Sequence, residues 1–236
     1  SLIPTGVLAA WAYRVGGEPT PAPEEVRGKQ GHLGMGVLFR SGTLTRLAML
    51  IALTQVVSTV LDLQLSRWVE QGIPDVDERT RWFGGFYAQL NTGSAFFQFV
   101  AAPLLLSLVP LRLIHVAIPL AHLATCALVI AHPSLFAAAA AYMVFKVMDY
   151  SLFRAAKELL YIPLSFDSRY RAKELIDAFG YRFAKGAVSG VLAGVRQLTA
   201  LHPLTYPITA MAAALAWLPL VAQLTGKQDE SLGPKS

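Results

Sequence analysis

Within AYMVFKVMDYSLFRAAKELLYIPL, residues 141–164, five charged side chains stand among apolar ones: Lys146, Asp149, Arg154, Lys157 and Glu158. On insertion scales a charge at the centre of a membrane helix costs about 2.5–3.5 kcal/mol, so such residues face a polar cavity or a partner. At roughly 100° per residue, Lys146, Asp149, Tyr150, Phe153, Arg154 and Lys157 fall inside an arc of about 140° and form one polar stripe. A second cluster follows, with Asp177, Tyr181 and Lys185 at four-residue spacing and Arg182 beside them. Lys146, Arg154, Lys157, Arg182 and Lys185 outnumber Asp149, Glu158 and Asp177, which predicts internal ion pairs with positive charge left over. The chemistry is that of an anion-binding site. The plainer alternative for Arg154, Glu158, Asp177 and Arg182 is that they are juxtamembrane charges, snorkelling and joined by salt bridges. Asp62, within STVLDLQL, is a lone acid among apolar neighbours and a further candidate for lining a pathway.

The elements that carry these residues follow from composition. The chain has 236 residues, 54% apolar and only 15% charged, against roughly one quarter charged in soluble domains. The apolar residues fall in blocks of about twenty, the length of a membrane helix. Six spans are expected, at Leu47–Val69, Gly84–Val109, Leu111–Ala131, Pro133–Leu160, Leu175–Ala200 and Tyr206–Leu224. The fold class is therefore an all-α membrane protein. Residues 1–13 read as the end of a truncated preceding helix, residues 14–46 as a Gly- and Pro-rich cytoplasmic connecting loop, 47–224 as a six-helix transmembrane bundle and 225–236 as a cytoplasmic tail.

Basic residues are retained on the cytoplasmic side of membranes, so their distribution sets orientation. One set of loops holds Arg14, Arg27, Lys29, Arg40, Arg46, Arg112, Arg169, Arg171, Lys173, Lys227 and Lys235; the opposite set holds only Arg67, Arg79, Arg81 and Arg196. Both termini are expected in the cytoplasm. The formal charge of +5 is scattered between apolar spans, which predicts contact with the lipid bilayer and no nucleic-acid partner. A six-helix bundle behind a cytoplasmic loop and a helix end matches the second half of a twelve-helix transporter of the major-facilitator type. A missing N-terminal six-helix half or a partner subunit would complete it.

Other features carry no chemistry. Gly186, Gly190 and Gly194 form a GxxxGxxxG row that predicts close helix packing. Gln89, Asn91, Thr92 and Gln98 read as hydrogen-bond partners between helices. His115 and His122, seven apart on an apolar helix without Cys or carboxylate companions, read as core residues and not metal ligands. Cys126 lies in an apolar run and has no partner for an internal disulfide. Gly226-Lys227 is followed by Gln228, so no GxxxxGK[ST] loop exists, and no GxSxG motif occurs. No enzyme activity, cofactor or metal is expected.

The run Asp149–Lys185, DYSLFRAAKELLYIPLSFDSRYRAKELIDAFGYRFAK, resembles the signature of the ATP/ADP translocase family, nucleotide transporters of plastids and obligate intracellular bacteria with more distant bacterial relatives. The matching parts are Tyr150–Phe153, Lys157-Glu158, Tyr161–Leu164, Lys173, Ile176-Asp177 and Gly180 to Lys185. The segment Phe83–Gly93, FGGFYAQLNTG, is similar to the family's second span of this half. The resemblance implies a divergent bacterial member in the inner membrane, working as an antiporter that binds ATP or another phosphorylated anion. It also implies transport roles for Lys157 and for Asp62, which stands where the family typically has Glu. Before the Lys-Glu pair the family typically has Asp-Pro-Thr, where this chain has Arg154-Ala155-Ala156; the change adds a cation and removes a proline kink. Two other readings stand beside transport of nucleotides by alternating access: a transporter-fold membrane platform or anchor, and a carrier of another anion or lipid.

Overall fold

The computed structural model describes residues 41–162, 173–198 and 202–231, together with Trp11, Arg14, Val15, Leu38 and Leu164. The domain readings for residues 1–13, for most of 14–46 and for the end of the tail lie outside them. The described chain is helical, in six long helices: α1 (Gly42–Gly72), α2 (Val76–Leu108), α3 (Leu111–Ala131), α4 (Leu135–Tyr161), α5 (173–198) and α6 (Thr205–Ser231). Polar caps set three of the starts. Ser41 Oγ accepts from Leu44 N at 3.4 Å, Asp75 Oδ1 from Glu78 N at 2.8 Å and Ser134 Oγ from Ala137 N at 3.2 Å, each satisfying an N–H that the first turn leaves over. Pro110 precedes α3, a position where its missing N–H costs no hydrogen bond.

Among the described residues, five helices are long and apolar enough to cross a membrane. The chain is an all-α, multi-pass membrane protein. The fifth expected span is a helix at 173–198 but is not among those five: Lys173, Glu174, Asp177, Arg182, Lys185 and Arg196 dilute its apolar content. The last helix runs on to Ser231, so part of the expected tail is helical.

Helix α1 is the centre of the bundle and packs against α4, α5 and α6, while α6 also packs on α3. The buried apolar residues form two clusters. One joins Leu47, Leu50 and Ile51 of α1 to Ile118, Phe153, Leu160 and Trp217; the other joins Leu61 and Leu65 to Leu90, Cys126, Phe145 and Ala210. On three of the contributing helices buried polar residues stand where the two clusters meet in sequence, namely Thr54, Gln55 and Ser58 on α1, His122 on α3, and Lys146 and Asp149 on α4. His115 and His122 are core residues, 0% and 1% exposed.

Three helices are interrupted by a single wide, π-helical turn: Phe97–Ala101 in α2, Asp149–Phe153 in α4 and Ile176–Gly180 in α5. Such a turn inserts one residue into an α-helix, so everything after it is rotated by roughly 100° relative to a regular helix. Two glycines near these turns sit where a Cβ would make ordinary van der Waals contact. A Cβ added at Gly93 would lie 3.5 Å from Val147 Cγ2, and one at Gly180 would lie 3.6 Å from Ile51 Cγ2.

Trp217 is fully buried with its ring 5.1 Å from that of Phe153 and 5.7 Å from His122, tying α6 to α4 and α3. Trp217→Ala is expected to cost about 3–5 kcal/mol, read as a lowered thermal midpoint of the detergent-solubilised protein.

Candidate anion cleft between three widened helices

A cleft of about 550 Å³ opens between α2, α4 and α5. Gln98, Ala102, Pro103 and Leu106 line it from α2; Tyr150, Ser151, Arg154, Ala155, Lys157 and Glu158 from α4; Asp177 and Tyr181 from α5. Each wall is therefore supplied by residues in or just beyond one of the three wide turns. π turns recur at functional sites because they re-aim side chains without ending the helix.

The floor of the cleft is an ion pair. Lys157 Nζ, on a side chain only 4% exposed, donates to Asp177 Oδ1 at 2.6 Å and lies 3.9 Å from Glu158 Oε1. The contact ties α4 to α5. Tyr181 and Tyr161 present their rings to the same ammonium, at 5.3 and 6.0 Å, and aromatic faces favour a cation there. Glu158 is in turn held by Lys173 of α5. Arg154 is exposed in the cleft with its guanidinium carbon 5.1 Å from the Tyr150 ring, and makes no ion pair among the described residues.

Lys146 occupies a different environment from the one expected. Its Nζ donates to Ser58 Oγ of α1 at 2.9 Å and is ringed by Tyr150, Tyr142 and Phe145 at 5.0, 5.6 and 5.7 Å. It is not among the residues lining the cleft. The single stripe drawn from Lys146 to Lys157 assumed a constant 100° per residue; the wide turn at Asp149–Phe153 lies between them and rotates the later residues away. Asp149 is 5% exposed, and its Oδ1 has no hydrogen-bond partner among the described residues.

Asp62 also lies off the cleft. Its neighbourhood holds the Tyr142 phenol of α4, which is also near Tyr87 of α2. On α5, Asp177 and Tyr181 face the cleft, whereas Arg182 and Lys185 are exposed and outside its lining. Gly186, Gly190 and Gly194 have nothing within 4 Å of where a Cβ would stand. The expected helix packing is not met by the described residues, because that face of α5 is turned away from its one large neighbour, α1. Of the four polar residues of the second span, Gln98 lines the cleft and Thr92 hydrogen-bonds its own helix through Ala88 O at 2.9 Å. Ser58 and Ser151 were missed by the sequence reading. A hydroxyl among apolar residues is too common a feature to single out, and Ser58 acquires its role only from Lys146, 88 positions away.

Residues 90–227, more than half of the chain, match the model of the TLC ATP/ADP transporter family. The chain belongs to that family. The TLC match includes all of α3, α4 and α5 and the C-terminal part of α2, and so every residue lining the cleft. No curated protein and no solved structure matches the chain.

The burial of each partner sets how much the ion pairs matter. Removing one member of a buried pair strands the other charge, whereas exposed pairs contribute little. Asp177→Asn, which strands the 4%-exposed Lys157, is expected to lower the thermal midpoint more than Lys173→Gln, whose side chain is 31% exposed. Differential scanning fluorimetry in detergent measures both.

Proposed function

We propose that the chain is the C-terminal six-helix half of a twelve-helix carrier of the major-facilitator type that moves a nucleotide, or a closely related phosphorylated anion, by alternating access. Its cleft is within the roughly 300–1,000 Å³ of small-molecule sites. The observation that carries this reading is the state of the cations there: among the described residues Arg154 makes no ion pair, and Lys157 is committed to a carboxylate on another helix. An arriving phosphate competes with Asp177 for Lys157 while Arg154 engages it through its planar fork. Binding therefore loosens the α4–α5 tie, and release remakes it. The empty carrier is latched and the loaded one is free to reorient, which is the behaviour of an exchanger that needs no hydrolytic motor.

On this reading Lys157 and Arg154 contact the anion, and Asp177 is the latch. Lys146 and Asp62 act deeper in the bundle, on the way to the opposite side, where the Tyr142 ring lies 5.6 Å from Lys146 Nζ and its phenol is near Asp62. Arg182 and Lys185 lie on the exposed side of α5, where the N-terminal half or a partner subunit would meet them. Both termini are cytoplasmic, in a bacterial inner membrane, and the cleft then opens toward the cytoplasm.

One observation favours the rival reading of a transporter-fold platform without transport. Lys157 is neutralised inside the bundle, and a permanent pair would serve as a structural brace. Thermal-shift titration separates the two: stabilisation by ATP or ADP at micromolar concentration supports the carrier, stabilisation by anionic lipid alone the platform. A charge-assisted contact is worth about 1.5–3 kcal/mol, a factor of roughly ten or more in affinity. Lys157→Gln in the full-length protein is expected to lower uptake of labelled ATP into vesicles by at least that factor. Unchanged uptake removes the residue from the mechanism.

A further inference from the structure

A second cavity, of about 300 Å³, opens where three helix ends meet: the last turns of α1, the end of α3 at Ala131 and the start of α6 at Thr205. It lies toward the other end of the bundle from the anion cleft. On α1, Ile51 packs beside Gly180, next to the cleft residue Tyr181, whereas Gln64 lines the cavity; along a helix the two are roughly 20 Å apart. None of the described residues lining the cavity lines the cleft. Gln64 is 3% exposed, yet its Oε1 has no hydrogen-bond partner among the described residues, and a buried amide oxygen left without a donor is costly. Arg67 stands one turn further along α1 and lines the same cavity; a guanidinium has more N–H donors than one contact uses, and its fork matches a phosphate. At the entrance to α6, His202 Nδ1 accepts from Leu204 N at 3.2 Å. That bond assigns the ring proton to Nε2, which makes His202 a donor there as well. Among the described lining residues there is no carboxylate.

The remaining lining is largely apolar and includes Trp68, Ile130 and Leu204. Trp favours the boundary between membrane and water, and the meeting of three helix ends places the cavity at that depth. Hydrocarbon also has a path out of it. Leu204 is followed on one face of α6 by Ile208 and Leu215, about 40° and 20° round from it, and both are roughly half exposed. We infer that the cavity binds the headgroup of an anionic phospholipid bearing hydroxyl groups, of which phosphatidylglycerol is the simplest, with its chains along Ile208 and Leu215. Arg67 and the His202 Nε2–H take the phosphodiester oxygens, and a headgroup hydroxyl donates to Gln64 Oε1. The volume suits that division: at the low end of small-molecule sites, it admits a headgroup and leaves the chains outside. Selectivity follows from the charges. A choline or ethanolamine headgroup would bring an ammonium into a cavity that already holds Arg67 and has no described carboxylate to receive it. The inference does not depend on what the cleft carries, and stabilisation by this lipid sits beside the carrier reading as readily as beside the platform.

The purified full-length protein is titrated in neutral detergent with phosphatidylglycerol, phosphatidylcholine and phosphatidylethanolamine of identical chains, and with glycerol 3-phosphate. The thermal midpoint is followed and native mass spectrometry counts retained molecules. Phosphatidylglycerol is expected to be retained and to raise the midpoint, the other two lipids to do so far less, and glycerol 3-phosphate, which has similar headgroup chemistry and no chains, to do neither. Equal effects from the three lipids overturn the inference, a result that needs no variant to fold. An equal effect of glycerol 3-phosphate overturns the lipid in favour of a free phosphate compound. Arg67→Gln is expected to weaken phosphatidylglycerol binding about tenfold and Gln64→Leu several-fold. Unchanged binding by both variants overturns the assignment to this cavity.

Discussion

Charge inside an apolar bundle has to be compensated where it stands, and the structure is organised around that requirement. Three cations of α4 lie in or near the polar layer, and each has a different solution: Lys146 a hydroxyl and three aromatic faces, Lys157 a carboxylate on α5, Arg154 an open cleft with a tyrosine ring. The apolar clusters above and below hold the helices at the spacing these solutions need. Neither cluster could be extended through the middle without burying a cation against hydrocarbon, which is why the core is split in two.

The split also separates rigid from adjustable parts. Trp217, Phe153 and His122 interlock α6, α4 and α3 through ring contacts that have no low-cost alternative arrangement. Helix α5, by contrast, is held chiefly through α1 and through its ion pairs with α4, and an ion pair is a contact that another anion can replace. A cleft with one wall, α4, interlocked by ring contacts and another, α5, held by an exchangeable ion pair is suited to binding that is coupled to movement.

Most of the helices were legible because their cause is local. Runs such as Leu111–Ala131 are predominantly apolar and bounded by Pro110 and Pro133, and the expected and observed limits of that helix coincide. The candidate site was legible in part. Lys157, Asp177, Tyr181 and Arg154 were selected as charges or hydroxyls on amphipathic stretches, and the structure gathers them around one cleft. Lys146 lies apart from them, on Ser58, a separation the sequence does not announce because nothing in MDYSLFR distinguishes a wide turn from a regular one, and a rotation of one residue's worth is enough to send a side chain to a different neighbour. Arg182, Lys185 and the glycine row lie away from the cleft for another reason. Spacing along a helix tells which residues share a face, while what that face meets depends on helices distant in sequence.

The inserted residue in α4 has a consequence for how such proteins diverge. A chain lacking one of residues 150–153 would still make a continuous helix, with every charged group of α4 present. Yet Lys157 would point to another wall. The address of the cation is thus written in chain length and not in side-chain identity, so a loss of one codon could silence the cleft where many substitutions would leave it intact.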